Sequence, residues 1–365
     1  MQFLDIQFNI QDYRFGILAF FTAFIIAMVT MPPLIKIIQR FKLFDLPDKR
    51  KEHTMPIPTM GGIASFAGMA AAVLFWFRFS NDIFTICLFF SIAVLFIVGI
   101  MDDLRNLSAR YKLVMQLAVA TLIAFSGIRI TGFNGLFGIY DIPLSAQYTF
   151  TILAITGITN AFNLIDGIDG LAGGLGFMSL VMLGLFLTLS GDGNTALIAF
   201  GLAGGLLGFL YYNFNPAKIF MGDTGSLVLG FVIAVLCIKL IHLNSYAASS
   251  VIPHAPLFAL SIVAIPVFDT LRVFALRIWS GKSPFAPDKT HIHHLLTFNG
   301  WSHRFTAKLI CCVHGGILAL GYFLKDVPQV WCITILSIAM AIMVIIFQKL
   351  RPPKQKTVSF KTAID

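Results

Sequence analysis

Long uncharged runs of apolar residues recur along the whole 365-residue chain. A run of about 20 apolar residues is what an α-helix needs to cross the hydrocarbon core of a bilayer. Hydrophobic residues make up 58% of the chain and charged residues only 12%, which is more apolar surface than a water-soluble core of this size could bury. The sequence therefore predicts an all-α polytopic membrane protein.

Eleven runs are long enough to be counted as membrane spans. They cover residues 15–38, 61–77, 83–100, 113–130, 148–162, 171–190, 196–212, 227–243, 252–276, 307–324 and 330–347. The polar stretches between them are too short to fold as independent domains. We therefore expect one integral membrane domain over residues 1–348, followed by a basic tail over residues 349–365.

Lys and Arg are distributed unequally between the loops. If the loops after odd-numbered spans face the cytoplasm, that side holds 21 of the 26 basic residues. Cytoplasmic loops of membrane proteins carry such an excess. We therefore expect the N-terminus outside and the C-terminus in the cytoplasm. The net charge of +9 is then explained by orientation and by contact with anionic membrane lipids, without nucleic acid as a partner.

Acidic residues collect at the ends of spans on the same side. Asp102 and Asp103 are adjacent where span 3 ends. Neighbouring carboxylates repel each other, so a divalent cation such as Mg²⁺, Arg105 or Lys112 must compensate them. The alternative is a solvated helix end that carries no more than an Asp–Arg pair.

A second polar cluster lies between spans 5 and 6, where Asn160, Asn163, Asp166 and Asp169 follow one another at helical or near-helical spacing. The glycines among them would let the backbone approach a bulky ligand and point N–H groups at phosphate oxygens. A tight turn stabilised by Asn and Asp side chains would explain one of these four residues, but hardly all of them.

Two further clusters precede and follow the later spans. Asp223 lies between glycines before span 8, where it could be an N-cap, although the nearby Lys218 favours a metal or phosphate role. A polar loop carries His291, His293 and His294. Zinc sites usually add a Cys or Glu partner and helical spacing, so these histidines favour contact with a pyrophosphate.

Five motifs together resemble the polyprenyl-phosphate N-acetylhexosamine-1-phosphate transferases over nearly the whole chain. They are Pro58–Gly62 (PTMGG), Asp102–Asp103, Asn160–Gly170 (NAFNLIDGIDG), Phe220–Asp223 (FMGD) and His291–His294 (HIHH). The sequence from Ser283 to Leu295 resembles the branch that starts O-antigen, enterobacterial common antigen or teichoic-acid linkage units. One departure from several relatives is Asn106, where they carry Asp.

This resemblance implies a reaction. Undecaprenyl phosphate attacks the β-phosphorus of a UDP-N-acetylhexosamine, here UDP-N-acetylglucosamine, which releases UMP and leaves the sugar on a lipid diphosphate. The product would start a cell-envelope polysaccharide. The resemblance also implies Mg²⁺ as cofactor, with Mn²⁺ as a substitute, a bacterial inner membrane with a cytoplasmic active site, and a chain that could form a homodimer.

The same resemblance assigns roles to individual residues. Asp102, Asp103 and Asp166 are expected to be catalytic, and Asp223 and Asn163 to bind the metal. Substrate binding is expected from Asn160, Asp169, Arg277, Asp288, His291, His293, His294, Lys51 and His53. For Lys51 and His53 the positive-inside rule alone would supply a basic cluster.

An ion-coupled secondary transporter is the alternative from another functional class. Asp269 and Arg272 would then be gating charges within the membrane. Transporter carboxylates gather near the bilayer midplane between two related halves of the chain. Here they lie at span ends, and the sequence shows no internal repeat, so we favour the transferase.

Overall fold

The prediction of an all-α membrane protein is confirmed by the computed structural model, which describes residues 10–45, 57–246, 251–283 and 290–352. Most of these residues lie in thirteen helices: α1 Ile10–Arg40, α2 Gly62–Trp76, α3 Ile83–Arg105, α4 Ala109–Phe125, α5 Leu144–Ile165, α6 Leu171–Leu189, α7 Gly193–Asn213, α8 Gly222–Tyr246, α9 Ala255–Ile262, α10 Ala264–Trp279, α11 Ile292–Phe298, α12 His303–Phe323 and α13 Gln329–Lys349.

Two short antiparallel hairpins complete the described secondary structure. The first pairs β1 (Phe44–Asp45) with β2 (Ile57–Pro58), and the second pairs β3 (Gly132–Leu136) with β4 (Ile139–Asp141). Both strand pairs lie between helices and not within the bundle. The first hairpin joins the end of α1 to the start of the Pro58–Gly62 motif.

Each of the eleven predicted spans coincides with a helix or, for the ninth, with a bent pair. Within the described ranges eight helices are long and apolar enough to cross a membrane: α1, α3, α5, α6, α7, α8, α12 and α13. The pair α9 and α10 adds a ninth if it is one span bent by 77°. Because α2 and α4 have only 15 and 17 residues, the number eleven stays a prediction.

Helix α8 forms the centre of the bundle and packs against α2, α3, α5 and α6. Its residues Phe231 to Leu236 are completely buried. Glycines allow the close approach: a Cβ atom added to Gly62 would lie 2.2 Å from Cα of Gly225, and one on Gly99 would lie 2.4 Å from Cα of Thr224. Small residues at helix contacts are the usual means of packing inside a bilayer.

We predict that Gly99→Ala lowers stability by about 1–3 kcal/mol, because the added methyl group meets the backbone of α8 and not a movable side chain. The matched control is Gly157→Ala in α5, where nothing lies within 4 Å of the added atom. The unfolding temperatures of both variants are measured by thermal unfolding in detergent. Equal unfolding temperatures for the two would contradict the close packing of α3 on α8.

Candidate active site

The polar ends of α3, α5 and α8 meet at one end of the bundle, together with the start of α4. Two backbone bonds hold the segment before α8 in place: Gly61 N donates to Phe220 O at 2.8 Å, and Gly62 N donates to Met221 O at 2.9 Å. The Pro58–Gly62 motif therefore supports the Phe220–Asp223 motif directly. Both motifs are recognisable in the sequence, but their pairing is not.

Asp103 caps the N-terminus of α8 from the neighbouring helix. Its Oδ1 accepts from the N–H of Asp223 at 2.8 Å, and its Oδ2 accepts from the N–H and hydroxyl of Thr224 at 3.1 and 2.5 Å. The first N–H groups of a helix have no partner within it, so this carboxylate satisfies donors that would otherwise be unpaired. Gly222 has a φ of +71°, and a Cβ there would lie 2.6 Å from Oδ2 of Asp103.

Lys112 joins two of the carboxylates. Its ammonium group lies 3.0 Å from Oδ2 of Asp102 and 2.6 Å from Oδ2 of Asp223. The other oxygen of Asp102 accepts from the N–H of Leu107 at 2.6 Å. Asp102 and Asp223 therefore share one positive charge, which is one of the two basic compensators that the sequence offered for the Asp102–Asp103 pair.

The two predicted asparagines have different partners. Asn163 Nδ2 donates to Oδ1 of Asp223 at 3.0 Å and to the hydroxyl of Ser226 at 2.9 Å. Asn160 Nδ2 donates to Oε1 of the buried Gln116 at 2.7 Å, which links α5 to α4. Asn163 thus belongs to the carboxylate cluster, whereas the amide nitrogen of Asn160 connects helices.

Asp166 and Asp169, in the turn between α5 and α6, differ in their electrostatics. Burial, followed by repulsion from Asp223, Asp103 and Asp169, raises the pKa of Asp166 to about 7.

Burial also opposes the charge on Asp169, but hydrogen bonds from His303, Asn215 and the Ala217 backbone outweigh this effect and lower the pKa of Asp169. Asp169 stays ionised and anchored, while Asp166 can gain or lose a proton near neutral pH.

Asn213 fixes this turn to the segment before α8. Its Oδ1 accepts from the N–H of Gly170 at 2.8 Å, and its Nδ2 donates to the carbonyl of Ile219 at 2.9 Å. Asp169 adds bonds to Asn215 Nδ2 at 2.8 Å and to the N–H of Ala217 at 3.2 Å. The second and third polar clusters of the sequence are therefore one connected structure.

The histidine loop, defined here as residues 290–294 at the start of α11, is held by Asp269 of α10, whose side chain is only 1% exposed. Its Oδ2 lies 2.8 Å from Nδ1 of His291, and its Oδ1 accepts from the N–H of Ile292 at 3.0 Å and from Arg272 at 2.8 Å. Arg272 also donates to the carbonyl of Thr290. Asp269 thereby caps α11 and sets the orientation of the first histidine.

His293 reaches the turn between α5 and α6. A Cβ atom added to Gly167 would lie 2.5 Å from Nε2 of His293, so a side chain at this position would displace the ring. The ring of His291 is nearly parallel to that of His293, with centroids 5.9 Å apart, and the ring of His294 lies 4.2 Å from that of His293. The fourth cluster therefore contacts the second, next to Asp166.

Four of the predicted site residues remain to be located. Arg277 is buried on α10, with its guanidinium 5.8 Å from the ring of Phe274. Lys51, His53 and Asp288 lie outside the described residues. The sequence pattern offered Lys112 as one of two basic compensators of the Asp102–Asp103 pair, but it gave no role to Gln116, Asn213, Thr224 or His303. In the sequence these four residues are distinguished only as polar residues at the ends of apolar runs or within them.

The residues present fit a hard cation with few protein ligands. Among the residues that the structure describes, no three His, Cys, Asp or Glu side chains converge as a ready-made metal site. Mg²⁺ is commonly held by one or two carboxylates together with substrate phosphates. Asp223 keeps 22% of its side chain exposed, and the neighbouring Asn163 side chain carries an amide oxygen beside the Nδ2 that faces Asp223, so the two residues have oxygen donors of the kind that such an ion prefers.

We predict that Asn213→Ala destabilises the protein by about 2–3 kcal/mol, because it leaves a buried N–H and a buried carbonyl without partners. Asn194→Ala is the matched control: Asn194 also makes two bonds, to the backbone of Arg78, but at an exposed position. Its loss should cost less than about 0.5 kcal/mol. Similar losses of thermal stability for both variants would refute the anchoring role of Asn213.

Comparisons with known proteins identify the family of the chain. Residues 85–241, from α3 to α8, match glycosyl transferase family 4. The chain is 36% identical to a probable undecaprenyl-phosphate N-acetylglucosaminyl 1-phosphate transferase of Bacillus subtilis over 90% of both chains. It is 31% identical to the undecaprenyl-phosphate alpha-N-acetylglucosaminyl 1-phosphate transferase of Salmonella typhi over 82% of both, and 32% identical to that of Yersinia pestis over 75% of both. The chain belongs to glycosyl transferase family 4, in the branch of these undecaprenyl-phosphate sugar 1-phosphate transferases.

Proposed function

We propose that this protein transfers N-acetylglucosamine 1-phosphate from UDP-N-acetylglucosamine to undecaprenyl phosphate and releases UMP. The named activities of relatives that match most of the chain support the acceptor and the transferred group. The structural observation that carries the proposal is the cluster of Asp102, Asp103, Asp166 and Asp223 at the ends of membrane helices, with Lys112 among them.

The proposed reaction exchanges one phosphoanhydride bond for another. An oxygen of the lipid phosphate attacks the β-phosphorus of the nucleotide sugar, and the bond from that phosphorus to the oxygen bridging the α-phosphate breaks. The electron pair leaves with UMP, and the sugar stays attached to the β-phosphate on the lipid. Water takes no part, so a site at the membrane boundary suits both the lipid headgroup and the soluble donor.

Both reactants are anionic, so binding them together requires positive charge. We assign Asp223 and Asn163 to hold Mg²⁺, which when bound would neutralise charge on the phosphates and on the transferring group. The ammonium group of Lys112 contributes one charge from the protein itself and keeps Asp102 and Asp223 together. Asp103 serves this arrangement by fixing the N-terminus of α8.

We assign Asp166 the role of proton acceptor. Its pKa of about 7 is close to the second pKa of a phosphate monoester, about 6, so its carboxylate can take the last proton from the lipid phosphate. Removing that proton gives the more nucleophilic dianion. The histidine loop beside Gly167 then supplies imidazole N–H groups to the diphosphate of the donor.

The transporter alternative is disfavoured by the partners of its two candidate gating charges. Asp269 and Arg272 bind each other and the segment from Thr290 to Ile292, so they support the histidine loop. We place the site on the cytoplasmic side of a bacterial plasma membrane, because the nucleotide sugar is made there and because the basic residues favour that orientation.

We predict that purified protein, supplied with UDP-N-acetylglucosamine and undecaprenyl phosphate, releases UMP in stoichiometric amount with the lipid product. Parallel reactions with UDP-N-acetylgalactosamine test the choice of sugar. UDP as the stoichiometric product would contradict the proposal, since it would mean that both phosphates stay on the nucleotide and that only the sugar is transferred.

We predict that Asp223→Asn lowers turnover about a hundredfold or more while the protein stays folded, because the amide keeps the shape but loses the charge that a hard cation needs. Asp192→Asn is the matched control: Asp192 also lies at a helix N-terminus and pairs with a lysine, Lys239, at 3.3 Å. It should keep nearly normal turnover.

A Mg²⁺ titration of both variants separates metal binding from a structural role of Asp223, whose oxygens accept from Lys112 and Asn163. Asn keeps one oxygen acceptor for these donors. Near-normal turnover of Asp223→Asn with an unchanged Mg²⁺ midpoint would therefore refute the ligand assignment.

A further inference from the structure

The break between α9 and α10 leaves a backbone carbonyl without its helical partner. In a continuous helix the carbonyl of Ile262 would accept from the N–H of the residue four positions later, which is Pro266 and has no N–H. The two helices meet here at an angle of 77°. Ile262 is completely buried, so water does not reach this carbonyl. An unpaired carbonyl at such a position is costly.

A chain of two side chains from other helices satisfies this carbonyl. The hydroxyl of Ser179 on α6 donates to Ile262 O at 2.9 Å, and Nε2 of His314 on α12 lies 3.2 Å from the same hydroxyl oxygen. Because the hydroxyl proton is directed at the carbonyl, the histidine must be the donor of the second bond, so Nε2 of His314 carries a proton. The buried Nδ1 has no hydrogen-bond partner among the described residues, so a second proton there would be unpaired and the ring is neutral.

Helix α10 begins at this break and leads to the histidine loop. Helix α10 carries Asp269 and Arg272, which hold Thr290, His291 and Ile292. His293 of the same loop touches Gly167, next to Asp166. The bend, α10, the histidine loop and the candidate active site are thus connected by contacts that are all present in the described residues.

We propose that Ser179 and His314 are positioning residues for the transfer reaction: their hydrogen bonds to the helix break set the angle of α10 and so place the histidine loop on the active site. This inference rests on the proposed function for its activity readout. Neither residue contacts the carboxylate cluster, and both are completely buried in the membrane region.

A small change in the angle between α9 and α10 would displace Asp269 by a distance that matters for catalysis. Asp269 is six residues beyond the break, which is about 9 Å along the helix. A rotation of about 10° at the break would therefore move Asp269 by about 1.5 Å, and a displacement of about 1 Å in a positioned group can cost about a hundredfold in rate.

The activity test compares variants that differ in hydrogen bonding. Ser179→Ala and His314→Leu remove the donors and should lower kcat/KM for UDP-N-acetylglucosamine at least about tenfold. His314→Gln keeps an N–H donor and should stay within about threefold of wild type. Ser91→Ala is the matched control, since Ser91 is equally buried and its hydroxyl has no hydrogen-bond partner within the described residues.

The two donor-removing changes act on one hydrogen-bonded chain, so their effects should not multiply. The double variant Ser179→Ala/His314→Leu should be about as active as the weaker single variant. Multiplied losses would mean that the two residues act separately and would overturn the proposal.

A distance measurement tests the positioning itself, without activity. Spin labels at Tyr211 on α7 and Trp279 on α10, which are 69% and 91% exposed, report the direction of α10 once the native cysteines are replaced by serine. Ser179→Ala and His314→Leu should shift or broaden the distance distribution, whereas His314→Gln and Ser91→Ala should not. Lost activity with an unchanged distance distribution would overturn the proposal, as would full activity of Ser179→Ala.

If Ser179→Ala does not fold, Pro266→Ala tests the positioning role in its place. This change restores an N–H that can bind Ile262 O within the helix, so it competes with Ser179 while the buried carbonyl keeps a partner. We expect a changed label distance and reduced kcat/KM in a folded protein. An unchanged distance with wild-type activity would overturn the proposal. If the wild-type protein released no UMP, the proposed function would fail, while the distances would still test the role of Ser179 and His314.

Discussion

The capping of α8 by Asp103 is the interaction on which the rest of the site depends. A helix that begins at the membrane boundary exposes N–H groups that need acceptors, and α3 supplies a carboxylate for them. The glycines at positions 62 and 99 let α2 and α3 come close enough for this bond to form. Once the start of α8 is fixed, Asp223 lies against Lys112 of α4 and Asn163 of α5.

The carboxylates divide their tasks according to their surroundings. Asp103 and Asp269 have both oxygens bound to protein donors and act as caps for α8 and α11. Asp169 is anchored by the segment after α7. Asp223 also has a donor on each oxygen, but these are the ammonium group of Lys112 and the amide of Asn163, and 22% of its side chain stays exposed, so we assign Asp223 to a cation and Asp166 to a proton. The same residue type therefore performs structural and chemical roles within one cluster, and the number and kind of donors around each residue separates them.

Sequence alone predicted the helices and the four polar clusters because both depend on local pattern. Apolar runs must be helical in a bilayer, and the polar residues at the ends of these runs must lie at a membrane surface. It could not predict that Asp103 caps α8, that Asn213 ties two clusters together, or that Asp269 holds the histidine loop. These contacts join residues at least 22 positions apart, and they depend on how the helices pack. His314 shows the same limit: as a lone histidine in an apolar run it gave no signal of its contact with Ser179.

The anomalous signal of Mn²⁺ in crystals of the loaded enzyme tests the metal assignment directly. We expect the ion within about 2.2 Å of a carboxylate oxygen of Asp223, with the Asn163 amide oxygen as a neighbour, while Asp103 stays bound to the N-terminus of α8. An ion coordinated by Asp103, with the start of α8 released from that carboxylate, would contradict the assignment.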